Sequence, residues 1–184
     1  MTTKLTVLAT GGTIAGIAGN AIAHDYKAGE IGIEDYLERV GGLGLEAELS
    51  GTQIANIDSA NIGPDVWGPL HAAAMAALKD PDCQGIIVTH GTDTLEETAF
   101  LLDLTLPASK PVVVVGAMRP ADAVGYDGLR NFANAVRVAS DPQAAGRGTL
   151  VVMGDRVFGA RDVYKVRTRG TEAFRGFPRE SVGL

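Results

Sequence analysis

Leu5-Thr6-Val7-Leu8-Ala9 runs into Thr10-Gly11-Gly12-Thr13, and Gly85-Ile86-Ile87-Val88 runs into Thr89-His90-Gly91-Thr92-Asp93-Thr94. Each stretch reads as a buried strand that delivers hydroxyl side chains to its carboxyl end, where open α/β sheets build ligand sites. Glycine lets the backbone turn sharply there and come close to a small ligand. Threonine adds a candidate nucleophile or hydrogen-bond donor.

Further strands are expected within Glu46–Ile57, where Ser50-Gly51 suggests a bend, and at Pro111–Val115 and Thr149–Met153. The runs at residues 85–88, 111–115 and 149–153 are almost wholly apolar, as parallel strands covered on both faces are. Helical spacing fills the intervals. Val66, Leu70, Ala73, Ala74, Ala77 and Leu78 follow Pro64 and Asp65 in a suitable first turn, and Leu129, Phe132, Ala133 and Val136 repeat the pattern. Thr94 with Glu97 three residues on predicts a capping box, and Ile33–Val40 a short helix. The alternation predicts an α/β fold, a doubly wound, mostly parallel sheet with helices on both faces.

Two segments carry no regular pattern. Gly16–Gly32 has four glycines and one aromatic residue, Tyr26, which suits a hinged lid. Residues 156–184 hold seven of the sixteen Lys and Arg residues and read as a solvated basic edge, with strand-like pieces at Val157-Phe158 and Val163–Val166.

The 184 residues suffice for one domain with a sizeable core. A net charge of −6 argues against a general nucleic-acid binder. Pro111–Met118 is far shorter than the roughly 20 residues of a membrane span, and the sequence lacks a signal-peptide pattern, so a cytoplasmic protein is expected. Cys83 stands alone, which excludes an intrachain disulfide and fits a small buried residue. His24, His71 and His90 lack metal-ligand spacing, and His90 fits a hydrogen bond within its own turn. Gly11-Gly12-Thr13-Ile14-Ala15-Gly16 has Thr13 where a dinucleotide loop needs its second glycine.

The strand ends lead into a set of hydroxyls and carboxylates: Thr10 and Thr13, Asp58 and Ser59, Thr92 and Asp93, then Gly116-Ala117-Met118. Such a set suits a small zwitterion, or acyl transfer with threonine as nucleophile. A threonine hydroxyl needs a base nearby, and Lys165 and Tyr26 are the candidate helpers. Asp58-Ser59 also reads simply as a helix N-cap.

Ala9-Thr10-Gly11-Gly12-Thr13-Ile14-Ala15 and Thr89-His90-Gly91-Thr92-Asp93-Thr94-Leu95-Glu96-Glu97 resemble the two signature motifs of bacterial-type L-asparaginases. The segments Pro111–Pro120 and Gly159–Lys165 resemble two more family stretches, the latter bearing the active-site lysine. The resemblance covers nearly the whole chain. It implies Thr13 as primary nucleophile with Tyr26 beside it, and Thr92, Asp93 and Lys165 as a second catalytic cluster. It implies substrate contacts from Ser59 and Asp93, with Gly91, Thr92 and Ala117 lining the site. The implied reaction is hydrolysis of L-asparagine to L-aspartate and ammonia, without metal or cofactor, in a homo-oligomer. Glutamine hydrolysis, the ammonia-releasing subunit of a transfer-RNA-dependent amidotransferase and a catalytically incomplete asparagine-binding module remain alternatives. Ala60 stands where the secreted branch often has glutamine. Family members usually continue into a smaller second domain, so residues 1–184 are expected to form the large N-terminal domain alone.

Overall fold

The computed structural model describes residues 2–20 and 26–183. Its centre is a six-stranded sheet of β1 (Thr3–Gly11), β2 (Ala47–Ile57), β3 (Gly85–Thr89), β4 (Val112–Val115), β5 (Thr149–Met153) and β6 (Arg156–Gly159), in the order β2-β1-β3-β4-β5-β6. β1 to β5 are parallel, and β6 returns antiparallel to β5. The strand order reverses at β1. The crevice at the carboxyl ends of β1 and β3 is therefore the topological switch point, where ligands bind in sheets of this order.

Alternation along the strands sends apolar side chains to two cores. Leu8, Ile86, Val88, Val112 and Val114 pack with Leu70 and Ala74 of α2 (Pro64–Lys79) and with Leu95, Ala99 and Leu102 of α3 (Leu95–Thr105). Leu5, Val7, Ile87, Val113 and Val115 pack on the other face with Ile33, Tyr36 and Val40 of α1 (Ile33–Gly41) and with Phe132, Ala135 and Val136 of α4 (Gly128–Ser140). Tyr36 meets Phe132 edge-on, ring centres 5.3 Å apart. The doubly wound architecture is as expected.

Several local expectations are corrected. Ser50-Gly51 makes no bend: β2 is continuous, with Gly51 opposite Val7. The glycine is there because a Cβ would stand 2.4 Å from Ile33 Cγ1, so α1 packs directly on the strand. Thr94 does start α3, yet its side chain makes no cap; the hydroxyl donates instead to the Ser59 carbonyl at 2.7 Å. β7 (Val163–Lys165) pairs in a small ribbon with β8 (Phe174–Gly176), which lacks a sequence signature.

The basic segment is not merely a solvated edge. Arg161 Nε and Arg179 Nε each lie 2.7 Å from buried carboxylates, of Asp103 and Asp162, whose side chains are 8% and 6% exposed. Cys83 is buried as expected, its thiol 3.3 Å from the Gly85 carbonyl. His24 and the middle of the Gly16–Gly32 segment lie outside the described residues. Around them, Ile17 and Lys27 exchange backbone hydrogen bonds of 3.1 and 3.0 Å. Gly16 leaves space for the Tyr26 ring, since a Cβ would come within 2.9 Å of it.

The two glycine turns cross in close backbone contact. Gly12 has φ +78°, and a Cβ on it would lie 2.2 Å from Gly91 Cα. Gly12→Ala combines a left-handed backbone with a backbone clash, and is expected to cost about 3 kcal/mol or more. Gly42→Ala, at φ −74° in open space, should be neutral or stabilising by about 0.5 kcal/mol. Urea unfolding of both variants checks the contrast.

Candidate active site

Thr13 opens a single 3-10 turn, Thr13–Ala15, directly after β1. Its hydroxyl is almost buried and lies 2.5 Å from the Tyr26 hydroxyl. Tyr126 supports the turn from behind, donating to the Ile14 carbonyl at 2.6 Å. Burial raises the Tyr26 pKa; the hydrogen bond with Thr13 partly offsets this, and the nearby Asp58 and Asp93 charges raise it further. Tyr26 is therefore a neutral phenol at neutral pH. Thr10, another candidate, is turned away: it is fully buried in β1 and donates to the Thr89 carbonyl.

The second cluster lies just beyond β3. Lys165 Nζ donates to Thr92 Oγ1 at 2.8 Å and to Asp93 Oδ1 at 2.6 Å. The Lys165 side chain is 16% exposed, whereas Asp93 is 60% exposed, so the carboxylate presents its other oxygen to the open side. Ser59 lies against Gly91, where an added Cβ would sit 2.5 Å from Ser59 Oγ. That hydroxyl accepts the Asp93 N–H at 3.1 Å, which leaves its own proton to donate. Asp58 is the N-cap that its sequence suggests, accepting from Ala60 N–H at 2.9 Å.

Ala117 is fully buried after β4, in a turn held by residues that sequence reasoning passed over. The Asp127 carboxylate accepts the Met118 and Arg119 N–H groups at 3.0 Å each, and Asn131 Nδ2 donates to the Gly116 carbonyl at 2.9 Å. Glu96 was likewise missed. It accepts the backbone N–H of Lys165, and burial raises its carboxyl pKa while that hydrogen bond lowers it.

His90 forms the hidden support of the Gly91 turn. It is fully buried, with Nδ1 2.7 Å from the Gly91 carbonyl, the local bond expected from sequence, and Nε2 2.8 Å from Thr98 Oγ1. Thr98 in turn accepts from Trp67 Nε1 at 2.9 Å. This chain is satisfied when Nδ1 carries the proton and the imidazole is neutral. A polar Thr98 among Leu95, Ala99 and Leu102 was the available sequence signal. Burial lowers the His90 pKa to about 4 despite the Gly91 carbonyl.

Other features offer less for a ligand. A cavity of about 360 Å³ lies between the start of α4 and the β5–β6 turn. Its Arg130, Arg156 and Arg175 are already paired with Asp155, Glu180 and Glu172. Among the described residues there is no metal-ligand cluster of three or more His, Cys, Asp or Glu, and no helix long and apolar enough to cross a membrane.

The fold and these groups define a doubly wound α/β domain with a paired-threonine site at its switch point. Residues 4–184 match the family model described as asparaginase, N-terminal, and the chain belongs to that family. It is 46% identical over 181 residues to L-asparaginase 2 of Bacillus subtilis, covering 98% of this chain and 48% of that protein. It is also 46% identical over 180 residues to the probable periplasmic L-asparaginase of Haemophilus influenzae, covering 98% and 51%. The crystal structure of a probable cytoplasmic L-asparaginase from Campylobacter jejuni superposes with a TM-score of 0.88 at 39% identity, covering 95% of this chain and 53% of that one. The chain thus spans about half the length of the curated relatives it matches.

The neutral His90 makes stability pH-dependent. Its folded pKa of about 4 lies below the ordinary 6.5, so the unfolded state binds more protons between those values. The contribution is complete above pH 6.5, falls as pH drops, and is lost below 4, a total of about 3 kcal/mol. Relative to His90→Gln, the wild type should lose its stability advantage by about that amount across this window in urea titrations.

Proposed function

We propose that the protein hydrolyses the side-chain amide of L-asparagine to L-aspartate and ammonia. The observation that carries this reading is the pair of threonine hydroxyls at adjoining turns, each held by a different helper. Thr13 Oγ1 attacks the amide carbon, its proton passing through the Tyr26 hydroxyl. Backbone N–H groups of the glycine turns receive the oxyanion, a contribution of about 3 kcal/mol per donor. The C–N bond then breaks as the nitrogen takes the proton relayed from Thr13, and ammonia leaves; water hydrolyses the Thr13 ester, returning a proton to Thr13 Oγ1 and releasing aspartate.

The second cluster handles the rest of the substrate. The Lys165 ammonium fixes Thr92 and Asp93 in one geometry. The remaining Asp93 oxygen accepts from the substrate α-ammonium, and the Ser59 hydroxyl donates to the α-carboxylate. The protein works as a homo-oligomer, a reading supported by its family resemblance, and in the cytoplasm, a reading supported by the description of the Campylobacter jejuni relative as cytoplasmic. Light scattering should then give a mass that is a multiple of the 19.1 kDa chain.

Ammonia release from asparagine and from glutamine by the purified protein tests the reading directly. Thr13→Ala and Thr92→Val are each expected to lower kcat for asparagine by roughly 10³-fold or more, and Tyr26→Phe by about 10²-fold. Equal background release from the wild type and all variants would overturn the proposal.

A further inference from the structure

Lys165 comes from outside the main sheet. β7 contributes three residues and pairs with β8 alone, and a two-stranded ribbon has little stability of its own. The ribbon is anchored by Val163 and Phe174, buried in the core, and by α3, which ties the chain on either side of Val163. On one side Arg161 Nε meets the Asp103 carboxylate at 2.7 Å. On the other the Lys165 backbone N–H donates to Glu96 Oε2 at 2.5 Å.

The tie at Glu96 is placed where it matters most for the site. Thr92 and Asp93 lie immediately before α3, and Glu96 is in its first turn. One helix start therefore carries both targets of Lys165 Nζ and the carboxylate that fixes the same residue's backbone. We propose that Glu96 is a positioning residue for the amide hydrolysis described above: its hydrogen bond to Lys165 N–H sets where Nζ meets Thr92 and Asp93. The inference rests on that reading of the reaction only for its kinetic consequence. The lysine side chain has four rotatable bonds, so its aim depends on the backbone from which it starts. A displacement of about 1 Å in such a group can cost about 10²-fold in rate.

Glu97 provides the control. It lies in the same helical turn, is exposed, and gives the helix N-terminus the same favourable charge without touching Lys165. Glu96→Ala should lower kcat for asparagine by roughly 10- to 100-fold with KM changed by less than about twofold. Glu96→Gln keeps a carbonyl acceptor and should recover most of the rate, while Glu97→Ala should match the wild type. In parallel, the Lys165 amide should exchange with deuterium roughly tenfold faster in Glu96→Ala than in the wild type or Glu96→Gln. Should Glu96→Ala fail to fold in thermal melts, Glu96→Thr replaces it, with a side chain too short to reach Lys165. Unchanged rate and exchange in the truncated variant, or Glu96→Gln as impaired as the truncation, would overturn the proposal. A wild type without amidase activity would sink the hydrolysis reading alone, and the exchange measurement would still decide the clamp.

Discussion

The close approach of Gly12 to Gly91 is the constraint around which this domain is built. The turns leaving β1 and β3 cross with no room for a methyl group, and Ser59 lies against the second of them. Only the reversal of strand order at β1 puts two such turns side by side at an open crevice. Each side chain of the site then takes its place relative to that crossing. Thr13 departs from one turn, Thr92 and Asp93 from the other, and Ser59 closes the side formed by β2. A residue larger than glycine at the crossing would separate the two threonine clusters rather than adjust one of them.

Behind the crossing, polar groups are satisfied by dedicated partners. His90, Thr98 and Trp67 support the Gly91 turn, Tyr126 supports the Thr13 turn, and Asp127 with Asn131 holds the turn after β4. A buried donor or acceptor without a partner costs about 1–3 kcal/mol, so these arrangements strongly prefer one geometry. His90 is the clearest case. Its proton has a single favourable place, and the imidazole serves as a fixed link between a helix and a turn.

The parts of this arrangement visible in the sequence are those set by local pattern. Apolar runs such as Gly85–Val88 and Val112–Val115 mark strands because burial on both faces tolerates little else. Thr13, Ser59, Thr92, Asp93 and Lys165 stand out through motif resemblance, and the structure brings Lys165 to Thr92 and Asp93 and Tyr26 to Thr13. The features that stayed hidden depend on a distant partner. Thr94 looks like a cap until the Ser59 carbonyl competes for its hydroxyl, and Gly51 looks like a bend until α1 packs on it. Arg161 and Arg179 are 60% and 66% exposed, as a solvated edge implies, but their pairing with Asp103 and Asp162 is invisible in one dimension. β8 is short and irregular, and only its pairing with β7 makes it a strand.

The antiparallel return of β6 bears on how the site comes into being. It sends the chain back past α3, so Lys165 meets Thr92 across 73 residues of sequence. The paired residues Leu5 and Gly85 of the sheet are as far apart in sequence; what sets the lysine apart is that its strand pairs only with β8, outside the sheet. The ribbon holds its place by burying Val163 and Phe174 in the core shared by α2 and α3. Half of the site therefore depends on the packing of two apolar side chains far from any substrate.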